Sequence, residues 1–298
     1  MTNPPMSVLA ISATLLLSAS VSAAPYRTST EIIAASQPSD WRSLDPEHTL
    51  YVELPAGRVI IELAPAYAPR TVANIEALVH EHYFDGAAVI RAQDNYVVQW
   101  AYPDDQRKLI NALAKIKAEF SVPIASQPFT ALPDADGYAP QTGFSNGLPA
   151  ARDPKAGQTW LTHCYGMVGV GRDNDPDSGN GAELYAMIGT ARILDRNVTL
   201  VGRVLQGIEL FSTLPRGTET MGFYAKPEQY APIRTVQLAS QLPVAERTPL
   251  QVLRTDTPLF TELLEARRNR HDPWNQRPAG YLDVCSVSVP VRLAPATP

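Results

Sequence analysis

The sequence predicts a mainly β chain, an antiparallel barrel or sandwich with only two or three core helices. Three observations lead there. Short apolar and β-branched runs recur between Leu50 and Leu238, bounded by Pro, Gly and Asn instead of by long helical stretches. Prolines outnumber glycines, 27 against 17, which favours stiff loops and leaves little room for long helices. No internal repeat is visible, and the strands do not alternate with helices as a parallel sheet would require.

Composition sets the outer bounds. With 45% hydrophobic and 18% charged residues among 298, the chain suits one folded domain with appendages. A net charge of -5 repels phosphate backbones and argues against nucleic acid and anionic membrane as partners.

At the N-terminus an apolar stretch from Ser7 to Val21 ends in Val21-Ser22-Ala23-Ala24, small residues of the kind a signal peptidase cleaves. Residues 1–23 are therefore expected to be a signal peptide, and the mature chain to be periplasmic or secreted and off the membrane. Its one departure is the lack of Lys or Arg before Arg27; a buried helix or an anchor is the alternative. Export would put Cys164 and Cys285, the only two cysteines, in an oxidising compartment, where a single disulfide and two buried free thiols both stay open.

Residues 24–48 read as an N-terminal extension with a helical patch at Thr30 to Ser36. Leu50 to Leu54 and Val59 to Leu63 flank Pro55-Ala56-Gly57 and predict a hairpin. Pro69 opens a helix whose Val72, Ile75, Leu78 and Val79 share one face, stopped by Phe84-Asp85-Gly86. Strands follow at Ala88 to Arg91 and Tyr96 to Trp100. An insert of about 101–163 is expected to hold a charged helix from Asp105 to Lys117, a β-run at Glu119 to Val122 and a long loop from about Pro123 to Gln158. Strands resume at Tyr165 to Val170, Leu184 to Ile188 and Thr199 to Val204, with a helix at Ile208 to Leu214 and a strand at Ile233 to Leu238. Residues 243–298 form a C-terminal extension with a helix capped by Thr257-Pro258 and strand-like alternation from Tyr281 to Val291.

Several motifs then fall into register. Pro69-Arg70-Thr71-Val72-Ala73-Asn74-Ile75-Glu76-Ala77-Leu78 resembles the first helix of the cyclophilins. Arg91 with Tyr96, Val97 and Gln99 resembles that family's active-site strand, and His163, Gly166, Val168, Val170 and Arg172 its bacterial His-x-x-Gly-x-Val-x-Met-Ala-Arg segment. Ser178 to Ile188, then Leu194-Asp195, Gly202-Arg203-Val204 and Gly207, match its closing segments. The resemblance spans roughly residues 49 to 240. It implies a closed eight-stranded antiparallel β-barrel capped by two helices over 49–242. The implied activity is peptidyl-prolyl cis-trans isomerisation of exported, proline-containing polypeptides, without metal or cofactor. A binding module or chaperone with little turnover is the alternative.

The resemblance assigns Arg91 as the catalytic group, a guanidinium that donates to the prolyl nitrogen once the amide is twisted. Tyr96, Val97, Leu184 and Leu194 would form an apolar hollow for the proline ring, and Gln99, Gly171 and Glu183 would position the peptide. Three positions depart from the family: Glu183 stands where Gln is usual, Ile193 where an aromatic is, and Val198 where His or Tyr is. A carboxylate at 183 could pair with Arg91 and take the donor that the substrate needs, so reduced but real activity is expected. Elsewhere, Asp173-x-Asp175-x-Asp177 opens like a calcium loop but lacks its Gly and final Glu. His80-Glu81-His82 lacks metal-ligand spacing, Asn197-Val198-Thr199 sits at a strand entrance, and Arg267 to Arg270 reads as a solvated helix end.

Overall fold

The computed structural model describes residues 26–103 and 107–295; the apolar stretch read as a signal peptide lies outside them. Nine strands form one antiparallel sheet in the order Ala231–Pro232, Ala88–Ala92, Val97–Ala101, Glu183–Met187, Met167–Val170, Leu200–Gln206, Gly57–Leu63, Thr49–Leu54, Thr235–Leu238. The sheet is curled and open, not the closed eight-stranded barrel of the expectation. Its edge strands are consecutive in the chain: Ile233 N–H donates to Ala87 on one edge at 2.9 Å and Arg234 N–H to Glu53 on the other at 2.7 Å. Pro232, with no N–H, sits on an edge where no donor is required.

Strand alternation sorts the side chains into two cores. Leu50, Val52, Ile61, Val98, Trp100, Val168, Leu184 and Val201 point inward. The Pro69–His80 helix covers them with Val72, Ile75, Leu78 and Val79, and the Ile208–Ser212 helix plugs the interior by stacking Phe211 on Trp100 at 5.1 Å. Pro69 takes the first helical turn, whose N–H groups have no partner inside the helix. The Glu119 carboxylate supplies one from outside, accepting Thr71 N–H at 2.9 Å. On the outward face, Val97, Tyr185, Met187, Met167 and Leu200 pack against the insert and both extensions to make a second core.

The insert departs from its reading in two places. Residues 107–117 form no helix. The backbone groups that a helix would bond internally are taken by side chains of the preceding helix and its end: Glu81 accepts from Asn111 N–H at 2.7 Å, and Asn74 accepts from Leu113 N–H at 2.6 Å while donating to Leu113 C=O at 3.1 Å. Residues 123–158 are no long loop either. With Val122 and Leu161 they build a five-stranded antiparallel sheet, ordered Val122–Pro123, Gln158–Leu161, Leu148–Asp153, Gln141–Ser145, Thr130–Ala131. Its register is set by Asn146 and Gly147, at φ 49° and 85°, the left-handed pair of a two-residue hairpin.

The two extensions are one unit. Trp41–Ser43 pairs with Leu250–Leu253, which pairs with Val291–Leu293. The Pro258–Arg268 helix starts where expected, with Thr257 accepting Phe260 N–H at 3.2 Å, and the helical patch near residue 30 is the Ser29–Ala34 helix. The strand-like run from Tyr281 to Val291 is instead a short 3-10 turn, Val284–Ser286, followed by the Val291–Leu293 strand. Buried Arg203, its pKa pushed down to about 10 by desolvation, donates to Gly147 C=O at 3.0 Å and to Val289 C=O at 3.4 Å, tying sheet, insert and tail together. Cys164 and Cys285 are bonded, across 121 residues of sequence.

A cross-link over so long a loop removes much unfolded-chain entropy, so joint Cys164→Ser and Cys285→Ser replacement is expected to cost about 2–4 kcal/mol in denaturant melts. A reductant should cost the unaltered protein the same amount and the doubly substituted chain nothing.

Candidate functional site

The ladder that orders the sheet also assembles a site on its outer face. Arg91 pairs with Gln99, Gln99 with Tyr185, and Tyr185 with Gly169 on four adjacent strands, while Phe223 bridges Arg91 from the far side. Same-face alternation along the strands adds Val97 beside Gln99 and Glu183 beside Tyr185. The result is one side of a groove of about 1000 Å³ lined by Arg91, Tyr96, Val97, Gln99, Gly171, Glu183, Tyr185, Leu194 and Val198 among others.

Arg91 is only 8% exposed and is held on three nitrogens: Nε donates to Met221 C=O at 2.6 Å, Nη1 to Gln99 Oε1 at 2.8 Å, and Nη2 to Gln93 Oε1. The rings of Phe223 and Tyr96 lie 5.3 and 5.5 Å from its carbon. Burial lowers its pKa from the ordinary value, opposed by the attraction of Tyr96 and Glu183. Glu183 thus acts on Arg91 as a nearby charge, while the three bonded acceptors are neutral oxygens. Gly171 admits this carboxylate because a Cβ there would come within 2.8 Å of it.

Seven of the eight residues expected at the site line the groove; the exception is Leu184. It is fully buried in the inward core, because alternation on the Glu183–Met187 strand sends residue 184 to the opposite face from Glu183 and Tyr185. Tyr185 takes the wall position instead. The sequence reading also missed Gln93, Met221 and Phe223. Gln93 and Tyr185 were within reach of strand alternation from Arg91 and Glu183; Met221 and Phe223 come from a loop 130 residues from Arg91 along the chain for the former, with no local signal.

Behind Tyr185 runs a buried polar chain. Its hydroxyl lies 2.9 Å from His163 Nε2, whose Nδ1 is 3.1 Å from Asp195 Oδ1. Asp195 can only accept, so Nδ1 carries the proton and Nε2 accepts from the tyrosine. Arg192 Nε donates to Asp195 Oδ2 at 2.5 Å and its Nη1 to Asp136 Oδ2 of the insert at 2.9 Å. The Arg192–Leu194 turn that carries Leu194 into the groove is therefore fixed from both sides. Gly169 makes room for the phenol, since a Cβ there would meet the Tyr185 hydroxyl at 2.3 Å. Burial lowers the pKa of His163 and keeps it neutral. Asp175, in the calcium-like run, pairs with Lys115 at 2.6 Å, and the described residues contain no cluster of three His, Cys, Asp or Glu side chains able to hold a metal.

Comparison with known proteins gives a consistent result. The model of the family described as cyclophilin type peptidyl-prolyl cis-trans isomerase/CLD matches residues 49–238. A probable peptidyl-prolyl cis-trans isomerase of Brucella suis is 27% identical over 179 residues, 59% of this chain and 75% of the relative; its counterpart in Brucella abortus is 26% identical over the same lengths. Among solved structures, cyclophilin AquaCyp293 from Hirschia baltica is 28% identical with a TM-score of 0.70, covering 90% of this chain and 97% of that one.

Because the folded His163 has a depressed pKa, the unfolded chain binds the extra proton first. Its share of stability is full above about pH 6.5 and is lost as pH falls below that value. The stability gap between the unaltered protein and His163→Gln should accordingly narrow from pH 8 to pH 5 in denaturant titrations, and Tyr185→Phe, which strands Nε2, should cost about 1–3 kcal/mol at neutral pH.

Proposed function

The chain belongs to the cyclophilin-type peptidyl-prolyl cis-trans isomerases, and from that premise we propose that Arg91 and the hollow beside it turn X-Pro bonds of exported polypeptides. The barrier to that rotation, about 18–20 kcal/mol, is the loss of amide resonance, and unaided isomerisation takes tens of seconds or longer. As the bond twists, the prolyl nitrogen recovers a localised lone pair. A donor that meets that lone pair binds the twisted amide and has nothing to bind in the planar one, which is the condition for lowering the barrier.

The carrying observation is the anchoring of Arg91. Three of its five N–H groups are occupied by Met221, Gln99 and Gln93, leaving one on each Nη at the groove wall. Val97, Tyr185, Leu194 and Val198 supply apolar surface for a proline ring, and Tyr96 an aromatic face beside the guanidinium. Glu183 favours the charged state of the guanidinium without taking one of its donors. Neither covalent bond nor proton transfer is needed, and the partner is a proline-containing segment.

The remainder of the chain fits service outside the cytoplasm. We take residues 49–242 as the isomerase domain, with 24–48 and 243–298 as extensions that brace it. The Cys164 to Cys285 bond and the apolar stretch before Ala24 both favour a periplasmic or secreted setting. Fractionation of cells making the full chain should find it outside the cytoplasm, shortened near residue 23; deletion of residues 1–23 should hold it inside.

The catalytic assignment is tested by Arg91→Ala, which should lower kcat/KM on a short X-Pro peptide about 100-fold or more, as loss of one preorganised donor does elsewhere, in assays run at a temperature where melts show the variant folded. Peptide affinity, measured by calorimetry, should change little. A rate like that of the unaltered protein removes Arg91 from the mechanism. Glu183→Gln should leave peptide affinity intact and change turnover only modestly, since no donor is freed.

A further inference from the structure

Two glutamines, not one, hold the guanidinium. Gln93 follows Arg91 by two residues on the same face, half-buried, and its Oε1 takes Nη2 while Gln99 takes Nη1 and the Met221 carbonyl takes Nε. Two anchors define an axis about which a planar group can still rock; a third, off that axis, fixes the plane. Gln93 also meets the turn that provides the Nε anchor. Met221 sits at φ 60° and Gly222 at φ 79°, and a Cβ on Gly222 would come within 2.7 Å of the Gln93 Cα. That turn can therefore reach Arg91 only by lying directly on residue 93.

The charge of the third anchor matters as much as its place. A neutral amide oxygen orients the fork and leaves its positive charge for the substrate, whereas a carboxylate would bind the fork strongly in every state of the reaction and weaken the remaining N–H donors. Resting on the reading of Arg91 as the catalytic group, we propose that Gln93 is a positioning residue for the isomerisation: it locks the guanidinium plane through Nη2 and does so with a neutral acceptor. Gln93 is not itself among the groove-lining residues, so its effect should pass through Arg91 and not through peptide contact.

The test compares Gln93→Met, which keeps the length and loses the acceptor, with Gln93→Glu, which keeps the acceptor and adds charge. Each is assayed on an X-Pro peptide for kcat and KM separately, with thermal melts alongside. Gln93→Met should lower kcat about tenfold, because a fork free to rock is less often aimed at the lone pair, with KM within about twofold and a melting midpoint lowered by no more than the loss of one half-buried hydrogen bond explains. Gln93→Glu should lower kcat at least as far with a midpoint no lower than that of the unaltered protein. Losses from Gln93→Met and Arg91→Lys should fall short of additive when combined. The inference is overturned if Gln93→Met keeps its kcat, if it raises KM alone, if the two losses simply add, or if Gln93→Glu turns over normally. Arg91→Ala, run in the same series, separates the two ideas: a normal rate there removes the reading of Arg91, while an abolished rate beside a normal Gln93→Met removes only Gln93.

Discussion

A cation that must stay charged while almost out of water constrains this molecule more than any other single feature. Burying an unpaired guanidinium is costly, and the usual remedy, a carboxylate in direct contact, would occupy the donors that the proposed mechanism uses. Here the cost is offset by three neutral oxygens, two aromatic faces and one carboxylate acting at a distance. Such an arrangement exists only if the strands keep their register. Arg91, Gln99 and Tyr185 face outward because each is paired across the ladder with the next, and a slip of one residue would send the guanidinium into the inward core and Val98 or Leu184 into the groove.

Register alone does not fix the far wall of the hollow. Leu194 rides on a short 3-10 turn, and a turn of that kind has few internal bonds to hold it. Arg192 holds it, clamped between Asp195 beneath and Asp136 of the insert above. The insert is held in turn by the C-terminal helix, where Arg268 meets Asp134 at 2.6 Å. Beside the same wall, His163 adjoins Cys164, whose bond to Cys285 secures the tail. The insert and extensions therefore act as bracing for one side of the site, and the second core that they form on the outward face is what lets that side be rigid.

How much of this could be read from sequence depends on where each signal resides. The Pro69 helix and the strand runs were legible because period and spacing within a few residues determine them, while the pair Arg91 and Gln99 was legible through its resemblance to the cyclophilin active-site strand. The segment from 107 to 117 misled because its Ala, Leu and Lys content favours a helix, whereas Glu81 and Asn74 draw its backbone into long-range bonds that no local pattern encodes. The insert sheet was hidden by Ala, Gly and Pro in strands such as Leu148–Asp153, although Asn146-Gly147 announced its hairpin. Motif resemblance points to Leu184 for the hollow, but strand alternation turns Leu184 into the inward core and places Tyr185 there. Met221 and Phe223 belong to the three-dimensional fold alone.

Glu183 shows why the arrangement of the site counts for more than its charge. From sequence, a carboxylate at 183 was expected to pair with Arg91 and reduce activity without abolishing it, by taking a donor that the substrate needs. Seated against Gly171, where a Cβ would collide with it, it raises the pKa of Arg91 by its charge, while the three acceptors bonded to the fork are neutral oxygens. What distinguishes a twisted from a planar peptide bond is whether an N–H meets the exposed lone pair, and that is a matter of direction. The rate should therefore follow the fixed plane of the guanidinium, to which the ladder, the Met221 turn and the paired glutamines all contribute.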